Sequence, residues 1–223
     1  MAEHTFMNPE IGEWAKRVMA RAEDPQYQEN VRRLAAEDAE IAEAHADFAR
    51  RRRFVEGSVP QAFWESVQNP DNTEALAAVR HHLAVAPPEC VFLSLAGPRG
   101  RGKSTALAWA VTEHGGLFVE AHALVRLGMF DRIWRDAPDV PVLALDEIGA
   151  EYLNDGYRAS LYELLNRRFS NNRKTIIATN LDAAAFKARY CPDANDRLAE
   201  RIAKGGRWVN LPGESMRRNW REV

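Results

Sequence analysis

Apolar residues are distributed along the chain in two textures. From about residue 8 to 56 they are sparse and helically spaced, with Val31, Leu34, Ala35, Ile41, Ala42 and Phe48 forming a thin stripe among Ala, Glu and Arg. After Pro9 at its start, Pro25 is the one proline inside this stretch, and no glycine falls between Gly12 and Gly57. The pattern predicts helix, with a stripe too narrow to support a core of its own and suited to packing on a partner or on the domain that follows. Gly57-Ser58-Val59-Pro60 breaks it. The expected organisation is a helical N-terminal extension over 1–57 and a second domain over 58–223.

Beyond Val59 the pattern changes to strand followed by helix. Cys90–Ala96 is an unalternating apolar run, as expected of a strand buried on both faces. Leu117–Glu120, Pro141–Leu145, Lys174–Ala178 and Arg207–Leu211 complete a set of five candidate strands. Helices are expected over 104–113, 122–135, 156–171, near 182–189 and over 194–204, the third with Leu161, Leu164, Leu165 and Phe169 on one face. This alternation implies an α/β fold, a parallel five-stranded sheet flanked by helices on both sides.

Composition narrows the class without changing this picture. A length of 223 residues suits one domain with an appendage, and 46% hydrophobic with 28% charged residues is that of a globular protein rich in exposed helix. No run approaches the ~18 apolar residues of a membrane span, and the start Met1-Ala2-Glu3-His4 has no secretory signal pattern. A cytoplasmic setting is expected, with Cys90 and Cys191 reduced and structural. The net charge of −2 hides an acidic bias before Arg50 and a basic tail from Arg197.

The first apolar strand runs directly into Gly97-Pro98-Arg99-Gly100-Arg101-Gly102-Lys103-Ser104, followed by Thr105. Glycines at this spacing let successive backbone N–H groups curl around phosphate, and the helix that follows adds its positive end. Lys103 is expected on the β- and γ-phosphates of ATP, and Ser104 on Mg²⁺. Asp146 and Glu147 end a buried strand, where two adjacent carboxylates are explained by a metal ion for Asp146 and an attacking water for Glu147. Asn180 ends the next strand. It reads either as a γ-phosphate or water contact, or as a turn or cap before the helix near 182. Arg197 and Arg201 share a helix face and read either as solvated or as arginines reaching a neighbouring subunit's nucleotide. Arg50–Arg53 reads as a solvated helix end, or as a nucleic-acid or partner contact.

From about Arg52 to Arg217 these residues resemble the AAA+ ATPases typified by the bacterial helicase loader DnaC and the transposition helper IstB. The likeness rests on the phosphate loop (Walker A), on Leu143–Gly149 (Walker B), and on Leu161–Phe169 followed by Thr175–Leu181. Val59-Pro60 with Phe63 looks like the segment preceding the core in these proteins. The resemblance makes Asn180 the sensor-1 residue and Arg197 or Arg201 the arginine finger. It puts Arg217 where the family has a sensor-2-type arginine. It also implies an assembling ring or spiral of identical subunits and no separate lid domain. Arg99 and Arg101 depart from the family's loop, and the stretch between Glu120 and Pro141 is short beside its relatives.

Three functions are then in play. The first is an ATP-dependent helicase loader whose N-terminal helices hold a replicative DNA helicase while the ATPase assembles on single-stranded DNA. The second is an IstB-like transposition helper, with a transposase as partner, that oligomerises on duplex DNA. The third is a stand-alone nucleotide switch, disfavoured by the complete Walker B and sensor residues.

Overall fold

In the computed structural model, residues 9–126, 131–191, 201–202 and 204–214 are described. The chain forms two compact units, Met1–Ala49 and Arg50–Val223.

The first unit is helical. Helix α1 spans Pro9–Glu23, and α2 spans Pro25–Glu56, its last turns belonging to the second unit. The sequence pattern reads as helix throughout, but the structure breaks at Asp24. A proline disfavours helical backbone at the residue before it and is well placed to start a new helix. Asp24 Oδ1 accepts from the Gln26 N–H at 2.8 Å, capping the new start. Leu34, Ile41 and Phe48 recur at a seven-residue interval along α2 and are all exposed, as are Trp14 and Met19 on α1.

In the second unit the end of α2 is pinned rather than solvated. Phe54 is buried edge-on to Trp64, with ring centroids 4.9 Å apart. Arg51 lies over the Trp64 ring at 4.3 Å, Arg53 Nε donates to the Thr112 carbonyl at 2.7 Å, and Arg50 pairs with Glu113. Only Arg52 of the four stays fully in solvent, paired with Glu56.

The chain then forms α3 (Trp64–Gln68), α4 (Glu74–Ala84), β1 (Phe92–Ala96), α5 (Lys103–His114), β2 (Gly116–Glu120), α6 (Ala121–Arg126), α7 (Arg132–Asp136), β3 (Val142–Ile148), α8 (Asp155–Ser170), β4 (Lys174–Thr179), α9 (Ala183–Tyr190) and β5 (Gly206–Asn210). Side chains of Thr73, Asp131, Asn154 and Asp182 cap α4, α7, α8 and α9, each accepting a first-turn N–H. Of the expected helices, 122–135 appears as α6 and α7 on either side of 127–130, which lie outside the described residues. So does most of 194–204.

The sheet is parallel throughout, in the order β2-β3-β4-β1-β5. Leu93, Leu95, Ala144, Ile176 and Ala178 pack on one face with α4 and α5, while Phe92, Leu143, Leu145 and Ile177 pack on the other with α6, α8 and α9. Burial on both faces explains why these strands read as continuous apolar runs. This is the α/β architecture expected from the sequence.

At the N-terminal ends of the strands, Arg168 is fully buried and fastens β4 to the turn before β3. It donates to the Ala137, Val140 and Lys174 carbonyls at 2.6, 3.0 and 2.6 Å and to Thr175 Oγ1 at 2.8 Å. Nearby, His82 on α4 is 1% exposed, and burial together with the charge of Lys174 holds its imidazole down at about 4. An unfolded histidine titrates near ~6.5, so the neutral native form is favoured above that pH and its contribution is lost as pH falls through the folded value. A shift of this size corresponds to roughly 3 kcal/mol. Replacing His82 with Gln should therefore flatten the decline in unfolding free energy between pH 6.5 and 4 in urea titrations; an unchanged slope would remove His82 as the cause.

Candidate functional site

A pocket of about 350 Å³ lies at the C-terminal ends of β1, β3 and β4, where open parallel sheets bind ligands. Its walls include the loop residues Arg99–Thr105, Asp146 and Glu147 from the end of β3, and Thr179 and Asn180 from the end of β4.

The loop between β1 and α5 turns on left-handed glycines. Gly102 has φ 77°, and a Cβ there would stand 3.0 Å from Thr73 Oγ1, so only glycine fits. Lys103 opens α5 and is 8% exposed. Its ammonium donates to the carbonyls of Gly97 (2.6 Å) and Pro98 (2.8 Å) and to Asn180 Oδ1 (3.1 Å). The lysine thus joins the start of the loop to the end of β4. Arg101, which the sequence leaves unexplained, sends Nη1 to the Glu214 carbonyl at 3.2 Å, while Arg99 is exposed.

Between β3 and β4 the register slips. β3 advances from Leu145 to Ile148 while β4 advances only from Ile177 to Thr179, so one extra residue bulges from β3. Glu147 takes the left-handed conformation at φ 55°. Such bulges re-aim side chains: Asp146 is 5% exposed and Glu147 is exposed at the pocket wall. Burial lifts the Asp146 carboxyl above the usual carboxylate range, opposed by hydrogen bonds from the Ser104 hydroxyl and the Glu147 N–H, the latter 3.0 Å long. A buried, raised carboxylate beside a hydroxyl is an oxygen pair suited to a hard cation such as Mg²⁺.

Asn180 is not the cap of the helix that follows it. The cap of α9 is Asp182, whose Oδ1 accepts from Ala185 N–H at 2.7 Å, while Asn180 faces Lys103. Arg201 is elsewhere. Its guanidinium lies 4.8 Å over the ring of Phe169, which stacks on Phe92 at the first residue of β1. That is the far end of a strand roughly 13 Å long from the phosphate loop. Arg197 and Arg217 lie outside the described residues. Other lining residues of the pocket, Phe63, Ser66, Asn69, Pro70, Asp71 and Thr73, have no counterpart in the sequence-based site. The turn-rich run Asn69-Pro70-Asp71-Asn72-Thr73, ending in a helix cap, is the signal that marks most of them.

Phosphate loop, strand-end carboxylate and parallel sheet define a P-loop nucleoside-triphosphatase fold. That fold is similar to the solved structures of DnaI and of the DnaC helicase loader, and a stretch of the sequence is similar to curated proteins. Over 95 residues the chain is 35% identical to an insertion-sequence ATP-binding protein, y4pL, of Sinorhizobium fredii (strain NBRC 101917 / NGR234), covering 42% of this chain and 38% of that one. The crystal structure of DnaI matches with TM-score 0.59 and 23% identity, covering 72% of this chain and 95% of that one. The crystal structure of the DnaC helicase loader matches with TM-score 0.56 and 21% identity, covering 69% and 100%. No family profile matches the chain. The matched stretches span little more than a third of the curated relatives, 38% and 35% of their lengths. Among the described residues no helix is long and apolar enough to cross a membrane.

The raised Asp146 carboxyl gives a stability test. Folding favours its protonated form, so at neutral pH the ionised native carboxylate is a net liability that a cation relieves. Asp146→Asn should raise the melting temperature of the nucleotide-free protein at pH 7 and should abolish any further gain from Mg²⁺. A lower melting temperature would contradict the assignment.

Proposed function

We propose that the chain is an Mg²⁺-dependent ATPase subunit that works in assemblies on DNA, and that its role is to load a replicative helicase. The convergence of Lys103, Ser104, Asp146, Glu147 and Asn180 on one pocket carries the ATPase reading.

The N–H groups of Arg99–Thr105 and the Lys103 ammonium bind the β- and γ-phosphates. Ser104 and Asp146 hold Mg²⁺, which supplies charge neutralisation on the phosphates. Glu147, turned out of β3 by the bulge, orients the attacking water and takes up its proton. Asn180, already on the lysine, reads the γ-phosphate. In this reading either Arg201, far from its own subunit's pocket, or Arg197 serves the next subunit's nucleotide, and Arg217 completes the site from the C-terminal side. Hydrolysis then depends on a ring or spiral of identical subunits.

The exposed stripe on α1 and α2 supports the loader reading, since Trp14, Leu34, Ile41 and Phe48 offer anchors for a partner helix or groove. The likeness to y4pL favours the alternative, an insertion-sequence helper with a transposase as partner.

Lys103→Ala should reduce ATP affinity at least tenfold in fluorescence titrations, a loss of about 1.4 kcal/mol or more. Glu147→Gln should keep ATP binding but slow hydrolysis by roughly 10²-fold or more. Normal turnover in either would reject the site. Immobilised full-length chain should retain a replicative helicase in the presence of ATP, and lose it when residues 1–50 are deleted. Retention of the cognate transposase instead would decide for the alternative.

A further inference from the structure

Glu151 lies just beyond the β3 carboxylates and has no part in the chemistry above. It is 3% exposed, yet its carboxylate is engaged on both sides. Oε2 accepts the Gly149 N–H at 2.8 Å, and Oε1 accepts the hydroxyl of Tyr190 at the end of α9. Arg189, its neighbour, donates to the Glu151 carbonyl. One residue thus grips the turn after β3 and the last turn of α9.

The same turn is tied a second time. Thr179 Oγ1 donates to the Ile148 carbonyl at 2.6 Å and accepts the Leu181 N–H at 3.1 Å. Gly149 has φ 107°, and Leu181 Cδ1 stands 2.8 Å from where a Cβ would be, so the turn packs directly on the residue after Asn180. Between strand and tethers sits Glu147 in its left-handed conformation, which strains a side-chain-bearing residue and persists only where the surroundings over-determine it. The tethers at Ile148 and Gly149 supply that. A carboxylate is also a poor choice for filling space, because burying it costs several kcal/mol that an apolar residue would avoid. Its presence is explained by what it holds.

We propose that Glu151 is a positioning residue for hydrolysis. Clamped between Gly149 and Tyr190, it fixes the bulged turn so that the Glu147 carboxylate points into the pocket, and it links that setting to α9. The proposal rests on the reading of Glu147 as the residue that orients water.

The test measures steady-state ATP hydrolysis and equilibrium ATP binding for the full chain carrying Glu151→Ala, Glu151→Gln or Tyr190→Phe. Glu151→Ala should lower kcat by about tenfold to 10²-fold, the penalty of a small misplacement, with ATP affinity within about twofold of wild type. Glu151→Gln keeps an acceptor for Gly149 and a partner for Tyr190, and should recover most of the rate. Tyr190→Phe, which removes one hydroxyl, should lower kcat by about threefold without changing affinity, and it carries the test if Glu151→Ala does not fold. Wild-type kcat in Glu151→Ala or Tyr190→Phe, equal loss of rate and affinity, or no recovery in Glu151→Gln would each overturn the proposal. Glu147→Gln in the same assay separates the two ideas. If it hydrolyses normally, the parent reading falls and this one with it. If it is inactive while Glu151→Ala is not, only the positioning role is lost.

Discussion

An ammonium drawn out of water at the head of a helix must be answered by oxygens. Lys103 finds them at Gly97, Pro98 and Asn180. Those contacts close the phosphate loop on itself and bind it to the neighbouring strand. They also join the residues just beyond the ends of β1 and β4, which the parallel ladder already holds side by side. With Lys103 at the centre, every other element of the site is placed by how its strand reaches that point.

The strands reach it because they are covered on both faces. A sheet buried in this way has no room for charge along its length, so polar side chains collect where the strands emerge. At one end this leaves Asp146, Glu147 and Asn180. At the other end Arg168 arrives from α8, its guanidinium held down at about 9 by burial and satisfied almost wholly by carbonyls that fasten the strand starts. The two ends divide the labour. Arg168 holds β4 in register at its start, and the bulge at Glu147 then turns one carboxylate inward and one outward at the finish.

The sheet and phosphate loop were legible in the sequence because each depends on a local pattern. Continuous apolar strands, glycines before Lys103 and a strand ending in Asp146-Glu147 are all short-range signals. What depended on long-range contacts was not legible. Asn180 reads equally well as a helix cap until Asp182 is seen to do that work. Nothing local marks Glu151 or Arg168 as buried, and only folding shows them so. The four arginines ending α2 look solvated because nothing local reveals Trp64, Thr112 and Glu113 waiting for them. The break at Asp24 was the reverse case, a local proline signal outweighed by the helical pattern around it.

The central claim is that the pocket built on Lys103 binds a nucleoside triphosphate with a metal ion between Ser104 and Asp146. Calorimetric titration of the full chain with a non-hydrolysable ATP analogue, with and without Mg²⁺, tests it most directly. The account predicts one site per chain, with affinity falling at least tenfold when Mg²⁺ is removed, a change of about 1.4 kcal/mol. No heat of binding, or an affinity indifferent to Mg²⁺, would contradict it.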